Sequence, residues 1–265
     1  MEEASEHSLN ILQAGTDTTS STMCFAMYYL AKYPDIQAKV REEMLSTSSD
    51  VALADSNEHN FSYGQSSEVQ YTTAFLKEVL RLYPAAPFFS RRAIEDDSWN
   101  GYPLPKGSIV WINPYQLGRN KKVWGDNVLE FSPERFTSKR RGSEKPYAWV
   151  PFGSGARQCI GFRLSMLEMK IVLSHLLKHF QITFEKENQV PEMKEVFEFF
   201  LTTQDPVVVF NAINQKIAHD SFFFFTKKSC GERRGEGGRE DRKIFYENFE
   251  ITILPKTWLY TWLFL

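Results

Sequence analysis

Phe152-Gly153-Ser154-Gly155-Ala156-Arg157-Gln158-Cys159-Ile160-Gly161 leads directly into an amphipathic run that ends at Phe180. Two glycines so close together permit a tight turn with backbone angles that other residues avoid. Beyond the turn, Leu164, Leu167, Ile171, Val172, Leu176 and Phe180 recur at helical spacing, which predicts a helix over 161–180. Cys159 then sits at a helix N-terminus, where free N–H groups and the helix dipole favour a thiolate over a thiol. Arg157 supplies a fixed positive charge nearby. A thiolate so placed can ligate a metal or act as a nucleophile, and a buried structural cysteine is the bland alternative.

Outward from this loop, residues 114–158 are rich in Pro, Gly and charge and show little periodicity. Irregular stretches of that length are usually functional or linking. This one contains Pro133-Glu134-Arg135-Phe136. Further upstream, Val69 to Tyr83 reads as a helix stopped by Pro84, and it carries Glu78 and Arg81 at i and i+3, where they can pair. Tyr83-Pro84-Ala85-Ala86-Pro87 is a Pro-rich turn running into a strand over 88–94, with a second strand over 107–113. Strand alternation lets only one of Arg91 and Arg92 face inward.

The chain begins with a helix over 5–32, with Leu9, Leu12, Thr16, Thr19, Met23, Met27 and Leu30 on one face. Its middle, Ala14-Gly15-Thr16-Asp17-Thr18-Thr19, is rich in poor helix formers. A second helix starts at Pro34 and runs to about Leu45, and 46–67 reads as a loop. Val196–Leu201 and Val207–Phe210, flanking Gln204-Asp205-Pro206, read as a hairpin. His175 and His179 have a metal-compatible i, i+4 spacing, but with no third ligand nearby they read as helix-face residues. After about Asn211 the texture becomes a Phe run, a Gly/Arg/Glu stretch and a Trp/Leu-rich end, which predicts a disordered tail over 212–265.

Composition bounds the class. The chain has 265 residues, 42% hydrophobic and 24% charged, which supports a packed core and excludes wholesale disorder. Lys plus Arg is 31 against 33 for Asp plus Glu, and the net charge of −2 gives no reason to expect nucleic-acid binding. Cys24, Cys159 and Cys230 are far apart and make no disulfide framework, which points to a reducing setting. The acidic N-terminus is unlike a signal peptide, and the Trp258–Leu265 cluster is much shorter than the roughly 20 residues that span a bilayer.

The ten-residue Cys159 pattern resembles the haem-binding signature of the cytochrome P450 family. Three further motifs, in the family's order, share that resemblance: Ala14 to Thr19, Glu78 to Arg81, and Pro133 to Phe136. The resemblance implies a mainly α fold with small β elements, a partial cytochrome P450 fold. It implies that Cys159 is the axial iron ligand of haem b, with Phe152, Gly153, Gly155 and Gly161 shaping the turn under the porphyrin. Arg157 and Arg91 would reach haem propionates. Gly15 would leave room for oxygen and haem. The Thr18 hydroxyl would bond a carbonyl one turn back and distort the helix, opening a groove in which Asp17 and Thr18 relay protons. Glu78, Arg81 and Arg135 would form a buried structural network. Ala14, Ala86, Phe88, Phe89, Phe200 and Leu201 would line the substrate pocket, with core packing as their competing role.

The implied function is insertion of one oxygen atom from O2 into a small apolar organic substrate, with electrons from NADPH through a reductase. Lys121, Lys122, Lys139, Arg140, Arg141 and Arg163 would offer a docking face to an acidic electron donor. The resemblance covers about residues 5 to 211, the family's C-terminal half. It therefore implies a fragment whose full-length parent is anchored in the endoplasmic reticulum membrane. Two other readings stand beside it. A haem-thiolate isomerase or dehydratase is disfavoured by the Asp17–Thr18 pair. A truncated, non-catalytic chain that binds haem or a partner is favoured by the missing half.

Overall fold

The structure, a computed structural model, describes residues 2–48, 63–137, 146–184, 190–197, 201–204 and 208–213. Six α-helices are described, with single 3-10 turns at Gly64–Ser67, Pro133–Phe136 and Gly155–Arg157. They are α1 (Glu2–Lys32), α2 (Pro34–Ser48), α3 (Gln70–Leu82), α4 (Pro114–Gly118), α5 (Lys121–Trp124) and α6 (Phe162–His179). Eight short strands form four antiparallel pairs. These are β1 (Phe89–Arg92) with β4 (Ile109–Ile112), β2 (Asp97–Trp99) with β3 (Tyr102–Leu104), β5 (Phe180–Phe184) with β8 (Val208–Ala212), and β6 (Lys194–Phe197) with β7 (Leu201–Gln204). The architecture is mainly α with small β elements. Phe200, Cys230, Lys139, Arg140, Arg141 and the tail from residue 214 onward lie outside the described residues.

The core forms where α1, α3, α6 and β5 meet. Phe25 to Leu30 of α1 are all buried, while Leu9 and Leu12 are 66% and 60% exposed. The single apolar face expected along the whole helix is therefore covered only in its second half, where α2, α3, α6, β5 and β7 surround it. Aromatic rings fill this junction. Tyr29 stacks on Phe131 at 3.8 Å, Phe25 stacks on Tyr83 at 4.4 Å, and the Tyr29 hydroxyl donates to that of Tyr83.

Helix α6 corrects the expected stripe in part, since of its members Leu176 and Phe180 are buried. Met166, Met169, Leu173 and Leu177 are buried with Leu176, whereas Leu164 is 64% exposed and Leu167, Ile171 and Val172 are half-buried. Both stripes are apolar at the same period, and the one facing α1, α2 and α3 fills the core.

The expected hairpin across Gln204-Asp205-Pro206 is also corrected. β8 pairs with β5, and β7 pairs back onto β6. β5 continues straight out of α6 with Phe180, Ile182 and Phe184 buried in the core, so its partner must present apolar residues in register. Val208 and Phe210 do so opposite Phe184 and Ile182. The other edge of β5 is closed by a side chain. Buried Gln37 donates to Ile182 O at 2.8 Å and to Leu30 O at 2.9 Å, and accepts from Ile182 N at 2.9 Å. One amide thus stands in for a neighbouring strand and ties α1, α2 and β5 together.

Four short elements, β2, β3, α4 and α5, go beyond what the sequence patterns predict. The β2–β3 hairpin turns through Asn100 and Gly101, both at positive φ, as a two-residue turn requires. Within 114–137, α4 and α5 are each capped by an asparagine. Asn113 accepts from Gln116 N and Asn120 from Lys122 N.

Candidate functional site

Helix α3 supplies the anchor. Glu78 and Arg81 are fully buried and face each other one turn apart. Arg81 Nε donates to Glu78 Oε2 at 2.7 Å and Arg81 Nη2 to Oε1 at 2.9 Å, a bidentate pair. Arg135, in the 3-10 turn Pro133–Phe136, brings its Nε within 3.3 Å of Glu78 Oε1. The backbone N–H of Ser132 donates to the same oxygen at 2.9 Å.

Further guanidinium hydrogens hold main chain. Arg81 donates to the carbonyls of Gly118, Val128 and Glu130, and Arg135 to those of Trp124 and Asn127. The irregular stretch 118–135 is therefore shaped by two arginines, and one carboxylate fixes both of them.

Glu134, beside Arg135, extends the tie to α2 and the start of α3. It accepts from Tyr71 Oη, Ser132 Oγ and Lys39 Nζ. Partial burial works to raise its carboxyl, but its own backbone N–H, Ser132 and Lys39 outweigh that and hold it below the usual range. Burial also pushes the Tyr71 phenol up, and the Glu134 charge adds to the shift.

The Cys159 loop is a closed turn. Gly153 and Gly155 have φ of 72° and 71°, left-handed values that favour glycine. Cys159 N donates to Phe152 O at 2.9 Å, Gly153 N to Val150 O and Gln158 N to Gly155 O. The cap of α6 is Gly161, so Cys159 lies two residues before the cap, further from the helix dipole than the sequence suggested. Its thiol is exposed, and Ile160 beside it is 99% exposed. A buried structural role is thereby removed.

Arg91 is half-buried on β1 and its Nη2 donates to Arg157 O at 3.4 Å, while Arg92 is exposed. Arg91 is thus the strand arginine that meets the loop. Its guanidinium also lies 4.9 Å from the Phe89 ring centre.

Helix α1 carries the remaining predicted residues. Thr18 Oγ1 donates to Ala14 O at 2.8 Å, the expected back-bond. Thr16 and Thr22 make the same bond to Leu12 O and Thr18 O. The expected distortion does not break the helix, which is continuous from Glu2 to Lys32. A side chain at Gly15 would meet nothing within 4 Å, so the space beside it is open. No hydrogen bond joins Asp17 or Thr18 to the Cys159 loop among the described residues.

Of the pocket residues, Ala14 is exposed and Ala86 half-buried, and Phe88 packs edge-on against Trp111. Leu201 is buried in the core, with its N–H on Ala85 O and its carbonyl accepting from Ser21 Oγ.

Residues 1–210 match the sequence model of the family described as cytochrome P450. The chain belongs to this family. Among curated cytochromes P450 it is 38% identical over 202 residues to cytochrome P450 3A31 of Mesocricetus auratus, a match covering 76% of this chain and 38% of that protein. It is 38% identical over 184 residues to cytochrome P450 3A17 of Cavia porcellus, covering 69% and 35%. It is 37% identical over 207 residues to cytochrome P450 3A11 of Mus musculus, covering 78% and 39%. The chain spans less than two fifths of the length of these relatives.

Three residues of this cytochrome P450 escaped the sequence reading although they help to build the site: Ser132, Glu134 and Trp149. Ser132 acts through its backbone, which no side-chain pattern reveals. Glu134 lay within a quoted motif, and its contacts on α2 and α3 come from distant sequence. Trp149 had a usable signal, a tryptophan three residues ahead of Phe152.

Proposed function

We propose that this cytochrome P450 is a haem-thiolate monooxygenase that inserts one atom of O2 into a small apolar organic substrate and releases the other as water. Electrons come from NADPH through a reductase partner. The observation that carries this reading is the exposed Cys159 thiol on a turn held by two left-handed glycines, with Arg91 bonded to the Arg157 carbonyl beside it. A single thiol, two neighbouring arginines and open space at Gly15 are a donor set and a clearance that fit haem b and its two propionates.

In this reading Cys159 ligates the iron and Arg157 and Arg91 hold the propionates. Haem bound through a thiolate supplies O–O cleavage, because the ligand pushes electron density onto the iron. Thr18 has committed its hydroxyl proton to Ala14 O, so its oxygen is left to accept a hydrogen bond. Asp17, the adjacent carboxylate, completes the proton-handling pair, which favours oxygen activation over isomerase chemistry.

Exposed Lys121 and Lys122 on α5 and Arg163 on α6 support docking of an acidic reductase. We place the full-length protein at the endoplasmic reticulum membrane. Among the described residues, no helix is long and apolar enough to cross a membrane.

The test is haem uptake by the full chain, followed by reduction and a carbon monoxide difference spectrum. A strongly red-shifted Soret band is the expected result, and a chain that takes up no haem overturns the reading. The two strand arginines give a second test. Arg91→Ala is expected to weaken haem retention, measured as transfer of haem to an acceptor protein, whereas Arg92→Ala leaves it near wild type. Equal effects would mean that Arg91 does not hold a propionate.

A further inference from the structure

We propose that Trp149 is a positioning residue for Cys159, tying the start of the cysteine loop to α3 through its indole N–H. The importance of that position rests on the haem-thiolate reading. Trp149 Nε1 donates to the carbonyl of Lys77 at 3.0 Å. Lys77 lies one residue before Glu78, so the accepting carbonyl belongs to the most firmly anchored turn of α3.

The ring is held on several sides. Phe136 and Phe152 are each 6.1 Å away between ring centres, and the Lys77 ammonium lies 5.3 Å from the indole centre. Phe136 ends the 3-10 turn that carries Arg135. Trp149 thus contacts both the segment fixed by Glu78 and the loop that carries the cysteine.

The path from the indole to the thiol is short. The Phe152 ring packs at 4.7 Å on Phe162, the first residue of α6, and its carbonyl accepts the Cys159 N–H at 2.9 Å. The bonds from Gly153 N to Val150 O and from Gln158 N to Gly155 O stay inside the loop and cannot place it against the rest of the molecule. The contact from Arg91 to Arg157 O reaches the loop from β1 at a longer 3.4 Å. The Trp149–Lys77 bond is therefore the shorter of these two tethers and the one nearer Phe152.

The experiment uses the full chain and reads hydrogen exchange at the Cys159 amide. Trp149→Phe keeps an aromatic ring against Phe136 and Phe152 and removes the N–H. Loss of one net hydrogen bond of about 1 kcal/mol corresponds to roughly fivefold faster exchange. Trp149→His restores a ring N–H at a position close to that of the indole, and it is expected to recover most of the protection.

Tyr28→Phe is the control. It removes a comparable bond, Tyr28 Oη to Pro191 O at 3.2 Å, far from the loop in sequence, and is expected to leave the Cys159 amide unchanged. With haem added, Trp149→Phe is expected to lower the share of bound haem that gives the thiolate-type band. The proposal is overturned if Trp149→Phe speeds Cys159 exchange no more than Tyr28→Phe does, or if Trp149→His recovers nothing. If the wild-type chain takes up no haem, the monooxygenase reading fails, and the exchange measurement still decides whether Trp149 positions the loop.

Discussion

Glu78→Ala is expected to lower the unfolding free energy by about 3–5 kcal/mol, the usual consequence of removing one partner from a buried ion pair. Domains have only about 5–15 kcal/mol in all, so a large share of the total stability is lost. The cause is specific. Without the carboxylate, the Arg81 guanidinium remains fully buried and the Arg135 side chain nearly so, facing each other's charge. Ser132 N also loses its acceptor. Urea unfolding followed by circular dichroism measures the loss, and a change under about 1 kcal/mol would contradict the account, because even one orphaned buried group costs about 1–3 kcal/mol.

A second comparison separates the network from an ordinary buried ion pair. Buried pairs can often be replaced by apolar residues at no net cost. Here Glu78→Leu with Arg81→Met is expected not to recover the wild-type stability. Arg81 also satisfies the carbonyls of Val128, Glu130 and Gly118, and methionine donates nothing to them. The ion pair therefore matters less as an attraction than as a way of holding two donor-rich side chains against 118–135.

This distinction explains how much the sequence made legible. Glu78 and Arg81 are three residues apart on one helix, so local spacing predicts their meeting. Their link to Arg135 was reached through the family resemblance, because no periodicity connects a helix to a turn more than fifty residues later. The cysteine loop was legible for a local reason as well, since φ near +70° at Gly153 and Gly155 favours glycine.

Choices between equivalent partners were not legible. Period alone offers two apolar stripes on α6, and packing against α1, α2 and α3 selects the one through Met169 and Leu173. Alternation offers Arg91 or Arg92, and only the position of the loop opposite β1 selects Arg91. Gln204-Asp205-Pro206 has the composition of a hairpin turn, yet Val208 and Phe210 match the β5 register and form the longer ladder. Gln37 works through side-chain bonds to the backbone of Leu30 and the distant Ile182, and such bonds leave no pattern in the chain.

Cys159→Ala is expected to abolish the thiolate-type carbon monoxide band while leaving the fold intact. The two halves of this result have separate causes. The Cys159 thiol is exposed, and the bond that closes the loop runs from its backbone N–H to Phe152 O, which alanine keeps. Stability should therefore move by no more than about 0.5 kcal/mol, the range for an exposed substitution. The signature depends on the sulfur alone. Cys24, the other described cysteine, is half-buried on α1, and Cys24→Ala is expected to retain the band. Glu78→Ala, in contrast, should lower the stability and weaken the band together. A band that survives Cys159→Ala would mean that another residue is the ligand, and a band lost with a large fall in stability would mean that the thiol is part of the packing. Loss of the band at unchanged stability leaves one role for Cys159: the group that meets the iron.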